Sequence, residues 1–259
     1  MFTAQWLRSG GLRCSPLNAA LGLNKIKITI ASEINMLHLN ERERLEVQNI
    51  FVTTEKEYRK KLRANKNSIY AINLVGDLHS KIDAVIESVR VKGTKFGCKK
   101  GCSFCCDLRV EVLAPEVFYI AKKLKADMSK SEMQTFIDKL QIYAGKATGL
   151  RFDEHIIPCV MLEDGACGIY SYRPMMCRKY NSLDAQVCED PHAQVPENTE
   201  VVVKTGAIGK GFADSYESRS LSAIPHEFGQ ALLIALTDSK SEQKWAQGKE
   251  VFVRIPEMC

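Results

Sequence analysis

Residues 98–106 read Cys98-Lys-Lys-Gly-Cys102-Ser-Phe-Cys105-Cys106, and the fold of the middle of the chain depends on them. Four more cysteines follow, at Cys159, Cys167, Cys177 and Cys188. Thiolates at these spacings can converge on one small ion or cluster, and unrelated structural needs rarely produce such a pattern. The sequence therefore predicts a metal centre with ligands drawn from all eight of these cysteines.

The composition is that of an ordinary globular protein. The chain has 259 residues, of which 45% are hydrophobic and 26% are charged, so we expect one large domain or two small ones around a packed core. The net charge of +5 permits an acidic partner without indicating one. No apolar run approaches the roughly 20 residues that a membrane span needs, so no membrane partner is predicted.

The expected compartment bears on the chemistry of the cysteines. No secretion signal is evident, so we expect the cytoplasm, where clustered cysteines are metal ligands or redox groups more often than disulfides. A secreted disulfide framework is the alternative, but such domains are usually small. We interpret residues 1–35 as an N-terminal extension, either a disordered or organellar transit segment or an over-extended gene start with Met36 as the initiator.

Hydrophobic periodicity predicts a mostly α protein. Apolar residues recur at helical spacing over 68–90, and a charge-rich helix is expected over 37–66, so these two segments form a helical hairpin. Pro115 opens the next helix, and Ser129 with Glu132 forms a capping box for the one after it. Three more helices are predicted over 199–219, 225–237 and 241–248.

The segment 150–182 has a different character, because proline and glycine interrupt any helical pattern there. A short extended stretch over 108–113 and a small β-hairpin around Cys167 to Tyr170 are predicted. This segment has little apolar surface, so metal ligation would supply much of its order. The predicted fold is helical with an irregular, cysteine-rich metal-binding centre. Its predicted parts are N-terminal helices over 36–92, a cysteine-cluster domain over 93–192, and C-terminal helices over 193–259.

The number of centres is open at the level of sequence. Eight cysteines could make two four-ligand sites, or one such site with spare thiols. The Cα atoms of the adjacent residues Cys105 and Cys106 are about 3.8 Å apart, and side chains of consecutive residues tend to diverge. One of the two cysteines would therefore bind a second centre or fill space in the core. Cys14 and Cys259 are isolated in the sequence and are interpreted as inert.

Basic residues near the cysteines are the predicted partners of the metal centre. A four-thiolate site carries net negative charge, which Lys99, Arg173 and Arg178 would offset while donating hydrogen bonds to sulfur. An ordinary solvated surface is the alternative, except for Arg178, which directly follows Cys177. Lys100 and Lys179 are further basic residues near the cysteines. Two histidines, His155 and His192, flank the second cysteine group, but neither is included among the predicted ligands.

One glycine-rich stretch suggests a phosphate loop but does not match one. Val201 to Val203 are followed by Gly206, Gly209 and Gly211, and this order is neither G-x-G-x-x-G nor part of a G-K-[ST] motif. We therefore predict that these glycines allow close helix packing.

Two linked motifs resemble the YkgJ-type cysteine-cluster family. The first is Gly97-Cys98-x-x-Gly101-Cys102-x-x-Cys105-Cys106, followed by Ala114-Pro115-Glu116 at a helix start. The second is Pro158-Cys159-x-x-Leu162-x-x-Gly165-x-Cys167-x-x-Tyr170-x-x-Arg173-Pro174-x-x-Cys177-Arg178, with Asn181-Ser182 and Cys188 after it. The resemblance covers about residues 97 to 190 and implies a zinc- or iron-chelating domain. Flagellin lysine N-methylases have a distantly similar cysteine pattern.

The predicted function is the chelation of zinc or iron. Iron would be bound either as a metal ion or as a 4Fe-4S cluster. The sequence permits a protein partner but does not identify one. The alternative is an iron–sulfur-dependent methyltransferase or S-adenosylmethionine enzyme, since Cys98-x3-Cys102-x2-Cys105 coincides with the radical S-adenosylmethionine signature. The strands of a (β/α)8 barrel are not evident after it. A nucleic-acid-binding zinc module ranks last, because no interleaved aromatic and basic face is found.

Overall fold

The computed structural model describes residues 39–99 and 101–254. The extension predicted over residues 1–35 lies outside the described residues, as do Lys100, Cys14 and Cys259. The described chain is mostly α-helical with two small antiparallel sheets, which confirms the predicted fold class.

The first two helices form the predicted hairpin, α1 (Glu41–Ala64) and α2 (Ser68–Val91). Each begins at an asparagine whose side chain accepts a backbone N–H of the first turn, Asn40 for α1 and Asn67 for α2. The apolar stripe of α2 faces the main core, which places this hairpin beneath the cysteine-rich segment.

The next part of the chain confirms both predicted helix starts. After a 3₁₀ turn at Phe104–Asp107 and strand β1 (Glu111–Leu113), Pro115 lies in the first turn of α3 (Ala114–Asp127). Ser129 and Glu132 form the capping box of α4 (Lys130–Ala147).

The cysteine-rich segment is built from short elements joined by loops. A small hairpin is present, but it ends at Cys167, where the predicted one was centred on Cys167 to Tyr170. It consists of β2 (Leu162–Glu163) and β3 (Ala166–Cys167) and turns through Asp164 and Gly165, which both have positive φ. A 3₁₀ turn (Tyr170–Tyr172), α5 (Met175–Lys179) and a second 3₁₀ turn (Gln186–Glu189) follow. The prediction of little apolar surface needs correction, because four residues of this segment belong to the main core: Met161, Ile169, Met175 and Met176.

The C-terminal part holds α6 (Thr199–Tyr216), a 3₁₀ turn (Glu217–Arg219), β4 (Pro225–Glu227), α7 (Phe228–Thr237) and α8 (Ser241–Ala246). The predicted helix from Pro225 was wrong in its first three residues. They pair with β1 instead, with Glu111 opposite Glu227. The side chain of Glu227 then accepts the backbone N–H groups of Gly229 and Gln230, so α7 begins only after the strand.

One hydrophobic core joins all three predicted parts of the chain. It contains Leu62 from α1, Ile120 from α3, Phe212 from α6 and Trp245 from α8, all of them fully buried. The domain boundaries proposed from the sequence remain a prediction. None of the helices in the described ranges combines the length and apolarity required to cross a membrane.

The glycines of α6 lie at a helix–helix contact, which confirms the packing interpretation. A Cβ added at Gly211 would lie 2.7 Å from the carbonyl oxygen of Phe51 and 3.0 Å from the Cβ of Thr54, both on α1. No phosphate loop is formed, because residues 199–216 are one continuous helix.

We expect Gly211→Ala to destabilise the protein by about 1–3 kcal/mol, because the added methyl forces α1 away from α6. Gly145→Ala is the matched control, since it lies inside helix α4 with no atom within 4 Å of the added Cβ. That change should stabilise by up to about 1 kcal/mol through helix propensity alone. Urea midpoints of the two variants measure the difference, and equal shifts of the same sign would contradict the packing role of Gly211.

Candidate metal centre

The loop that carries the first cysteines is held against the segment after α5. The backbone N–H of Gly97 donates to the carbonyl oxygen of Ser182 at 2.8 Å. A Cβ at Gly97 would lie 2.5 Å from the backbone nitrogen of Ala185, so only glycine fits this approach. Ser182 in turn donates its backbone N–H to the sulfur of Cys98 at 3.2 Å. Residues far apart in the sequence therefore meet at Cys98.

The 3₁₀ turn Phe104–Asp107 connects the first cysteine group to two other segments. It contacts the 3₁₀ turn Gln186–Glu189, which carries Cys188. In addition, the carbonyl oxygen of Cys106 accepts the backbone N–H of Cys159 at 2.9 Å. Leu108 and Ile156 extend this pairing as an isolated antiparallel bridge. Cys105 and Cys106 thus lie where these two segments meet.

Four cysteines line one cavity of about 160 Å³. We call them the cavity-side set: Cys98, Cys102, Cys105 and Cys188. Cys98 lies within electrostatic range of Cys102 and Cys188, whose charges contribute to raising its pKa after the larger effect of burial. Both cysteine groups of the sequence therefore contribute to the wall of this cavity.

The other four cysteines lie towards the hydrophobic core. We call them the core-side set: Cys106, Cys159, Cys167 and Cys177. The last three pack against the main core. Burial raises the pKa of Cys177 well above its usual value, and negative charge on the other three members raises it further. Negative charge on other members of the set also contributes to raising the pKa of Cys159 and of Cys167. The four core-side cysteines therefore lie within electrostatic range of one another.

The adjacent cysteines interact with each other. A hydrogen bond between their side chains raises the pKa of Cys105 and lowers the pKa of Cys106. Cys105 also lies within electrostatic range of both Cys98 and Cys177, one from each set. It therefore stands at the border between the two sets, although its side chain lines the cavity.

Backbone N–H groups donate to several of the sulfurs. Ser182 donates to Cys98, Met161 to Cys159 and Ile169 to Cys167, and each of these bonds lowers the pKa of the thiol that accepts it. Burial acts in the opposite direction and is the larger effect, so the pKa of Cys159 rises to about 12. N–H donors of this kind stabilise a thiolate once a metal has replaced its proton.

The eight cysteines are free, half-buried thiols and form no disulfide. Among residues 39–99 and 101–254, no three Cys, His, Asp or Glu side chains stand close enough together to hold an ion as they are placed. Neutral, protonated thiols do not attract one another strongly enough to gather around one point. A bound cation displaces their protons and attracts the resulting thiolates. The donor chemistry fits a soft metal, but closing a site requires cysteine side chains to rotate.

The predicted basic partners lie in three different environments. Lys99 is exposed, and its carbonyl oxygen accepts the backbone N–H of Cys102 at 3.0 Å. The guanidinium of Arg173 lies 3.8 Å from the ring centre of Tyr170, and its charge lowers the pKa of Cys167 and Cys177 against the larger effect of burial. Arg173 is thus the predicted residue with a direct electrostatic effect on the core-side sulfurs.

Arg178 is buried, and its guanidinium is engaged by other partners. It donates to the carboxylate of Asp83 on α2 at 2.6 Å and to the carbonyl oxygen of Arg173 at 3.1 Å, and it also donates to the carbonyl oxygen of Ser171. These contacts attach α5 to α2 and to the turn before it. Its role at the metal remains a prediction, while its role in positioning Cys177 follows from the contacts.

The cavity wall also includes His155 and Glu197, which are not among the site residues predicted from the sequence. His155 is buried, with its Nε2 3.3 Å from the hydroxyl of Tyr143 and its Nδ1 without a hydrogen-bond partner. Glu197 has a buried oxygen without a partner, and burial raises its pKa to about 7. His155 was noted for its distance of four residues from Cys159 and was set aside; nothing in the local sequence marks Glu197.

The arrangement is that of a helical protein with eight free thiols on neighbouring segments, a donor set that suits a soft metal. Comparison with known families agrees: residues 97–200 match the family model CxxCxxCC, described as "Putative zinc- or iron-chelating domain". The match covers about two fifths of the chain and supports the resemblance to a cysteine-cluster family. No curated protein and no solved structure gives a significant match. The similarity to flagellin lysine N-methylases remains a prediction.

Proposed function

We propose that this protein binds zinc or iron, the iron as a metal ion or as a 4Fe-4S cluster, through the thiolates of the cavity-side and core-side sets. The observation that carries the proposal is the contact between the two cysteine-bearing segments: the backbone N–H of Cys159 donates to the carbonyl oxygen of Cys106 at 2.9 Å, and that of Ser182 donates to the sulfur of Cys98 at 3.2 Å. These cysteines come from separate segments, and the hydrogen bond from Cys159 to Cys106 holds the segments together.

The donor set supports a soft metal. Thiolate ligands suit tetrahedral zinc and iron–sulfur clusters, whereas magnesium and calcium take oxygen ligands. Arg173 supplies positive charge beside the core-side set, which offsets the net negative charge of four thiolates around a metal. Such a metal would add order when bound, because it crosslinks loops from separate segments of the chain.

The alternative function, methyl transfer with S-adenosylmethionine, remains a prediction from the cysteine pattern. The cavity beside the cavity-side set would be the place for a substrate, and its walls include His155 and Glu197. The metal-binding proposal does not depend on that activity.

The full chain purified without oxygen is expected to carry zinc or iron at about one or two equivalents. Elemental analysis together with an optical spectrum tests this. Broad visible absorbance that reductant bleaches indicates an iron–sulfur cluster, and a colourless protein containing zinc indicates a zinc–thiolate site.

A variant with Cys14→Ser and Cys259→Ser is the control, since both cysteines lie outside the cluster in the sequence. It should carry as much metal as the unaltered chain. A protein with neither metal, after anaerobic purification and after reconstitution with each metal, would overturn the proposed function.

A further inference from the structure

We propose that the eight cysteines form two separate four-thiolate centres, the cavity-side set holding one and the core-side set the other, with the adjacent Cys105 and Cys106 assigned to different centres. This inference rests on the proposed function and deepens it. It assigns each cysteine to one metal, which neither the spacing of the cysteines nor the family description does.

The core-side centre is supported by its position on the core. Cys159, Cys167 and Cys177 pack against the main core from a loop, a strand and a helix. Cys106 reaches them through the backbone hydrogen bond from Cys159. Each of these four lies within electrostatic range of the others, and none of them lines the cavity.

The cavity-side centre is supported by the remaining four cysteines. The loop of Cys98 is held against residues 182–185 by the contacts of Ser182 with Gly97 and Cys98, and the backbone N–H of Cys188 donates to the carbonyl oxygen of Ala185. Cys105 lies on the 3₁₀ turn that contacts the one carrying Cys188. With Cys102, which also lines the cavity, this gives four thiols from two segments around one open space.

The local backbone explains how the side chains of the neighbouring Cys105 and Cys106 would bind different metals. Cys105 and Cys106 lie in a 3₁₀ turn, where successive side chains point about 120° apart around the axis. This turn contacts the segment that carries Cys188, and the carbonyl oxygen of Cys106 within it accepts the backbone N–H of Cys159. Ligation would replace the present hydrogen bond between the two thiols with one metal on each side.

The test compares these adjacent cysteines in one background. The full chain carrying Cys188→Ser is combined with Cys105→Ser or, separately, with Cys106→Ser. Each protein is loaded with zinc and dialysed against a chelator weak enough to leave the unaltered chain fully loaded. Zinc per chain is then measured by elemental analysis.

The unaltered chain should retain two equivalents. The Cys105→Ser/Cys188→Ser variant should retain one, because both changes fall in the cavity-side set. The Cys106→Ser/Cys188→Ser variant should retain none, because each change removes a different centre. Cobalt(II) in place of zinc gives a second measure, since thiolate-to-metal absorbance should fall by half in the first variant and be lost in the second.

Loss of both equivalents from the Cys105→Ser/Cys188→Ser variant would overturn the assignment, as would one equivalent in the unaltered chain. If the Cys106 variant does not fold, the Cys105→Ser/Cys188→Ser result alone decides, because the core-side set is intact there. Absence of metal from the unaltered chain after reconstitution with zinc and, separately, with iron would instead refute the proposed function, so the two failures are distinguishable.

Discussion

Replacing Arg178 with alanine is expected to lower the free energy of unfolding of the metal-free protein by about 3 kcal/mol. The guanidinium is buried and bonds to one carboxylate and two carbonyl oxygens. Alanine leaves those carbonyls of Ser171 and Arg173 without their donor and removes the link from α5 to α2. Urea unfolding of chelator-treated protein measures the loss.

Two further variants separate the possible roles of Arg178. Arg178→Lys keeps the charge but loses the forked geometry, so it should recover only part of the stability. Asp83→Asn should cost less than Arg178→Ala, because Asp83 is half exposed and the carbonyl contacts remain. If Arg178→Ala leaves metal-free stability unchanged and weakens metal retention alone, the side chain acts on the sulfurs rather than on the fold.

Local signals predicted the helices well, because their information lies within a few residues. The capping box of Ser129 and Glu132 and the proline in the first turn of α3 are examples. Strand β4 could not be predicted in this way. It is three residues long and exists because residues 225–227 meet β1, so its pattern carries no signal without that partner.

The same distinction applies to the candidate site. The spacing of the cysteines predicts thiolate ligands, which stays a prediction. The adjacency of Cys105 and Cys106 predicts that their side chains diverge, whereas the two thiols hydrogen-bond to each other. The grouping of the sulfurs could not be read from spacing, because it depends on long-range contacts such as those of Cys106 with Cys159 and of Ser182 with Cys98. Proximity in sequence also gave no sign that Arg178 bonds to Asp83 on α2.

Glu116 connects the helix start at α3 to the helix that carries Cys177. It is fully buried; one carboxylate oxygen accepts the backbone N–H of Leu113 at 3.0 Å, and the other accepts that of Met175 at 2.7 Å. We expect Glu116→Ala to cost about 3–5 kcal/mol, because two buried N–H groups lose a charged acceptor. Since Met175 is the first residue of α5, the core-side set should also hold zinc less tightly, measured by competition with a chelator.

Glu132→Ala is the matched control for this change. Glu132 occupies the same capping position in α4, where its carboxylate accepts the backbone N–H of Ser129, but it is exposed and has no second backbone donor. Its loss should therefore be far smaller, and zinc retention should not change. Glu116→Gln should fall between the two, because an amide oxygen can replace one acceptor while its NH₂ group opposes the other N–H. Equal losses for Glu116→Ala and Glu132→Ala would show that burial and the bond to α5 contribute nothing, and that Cys177 is positioned without Glu116.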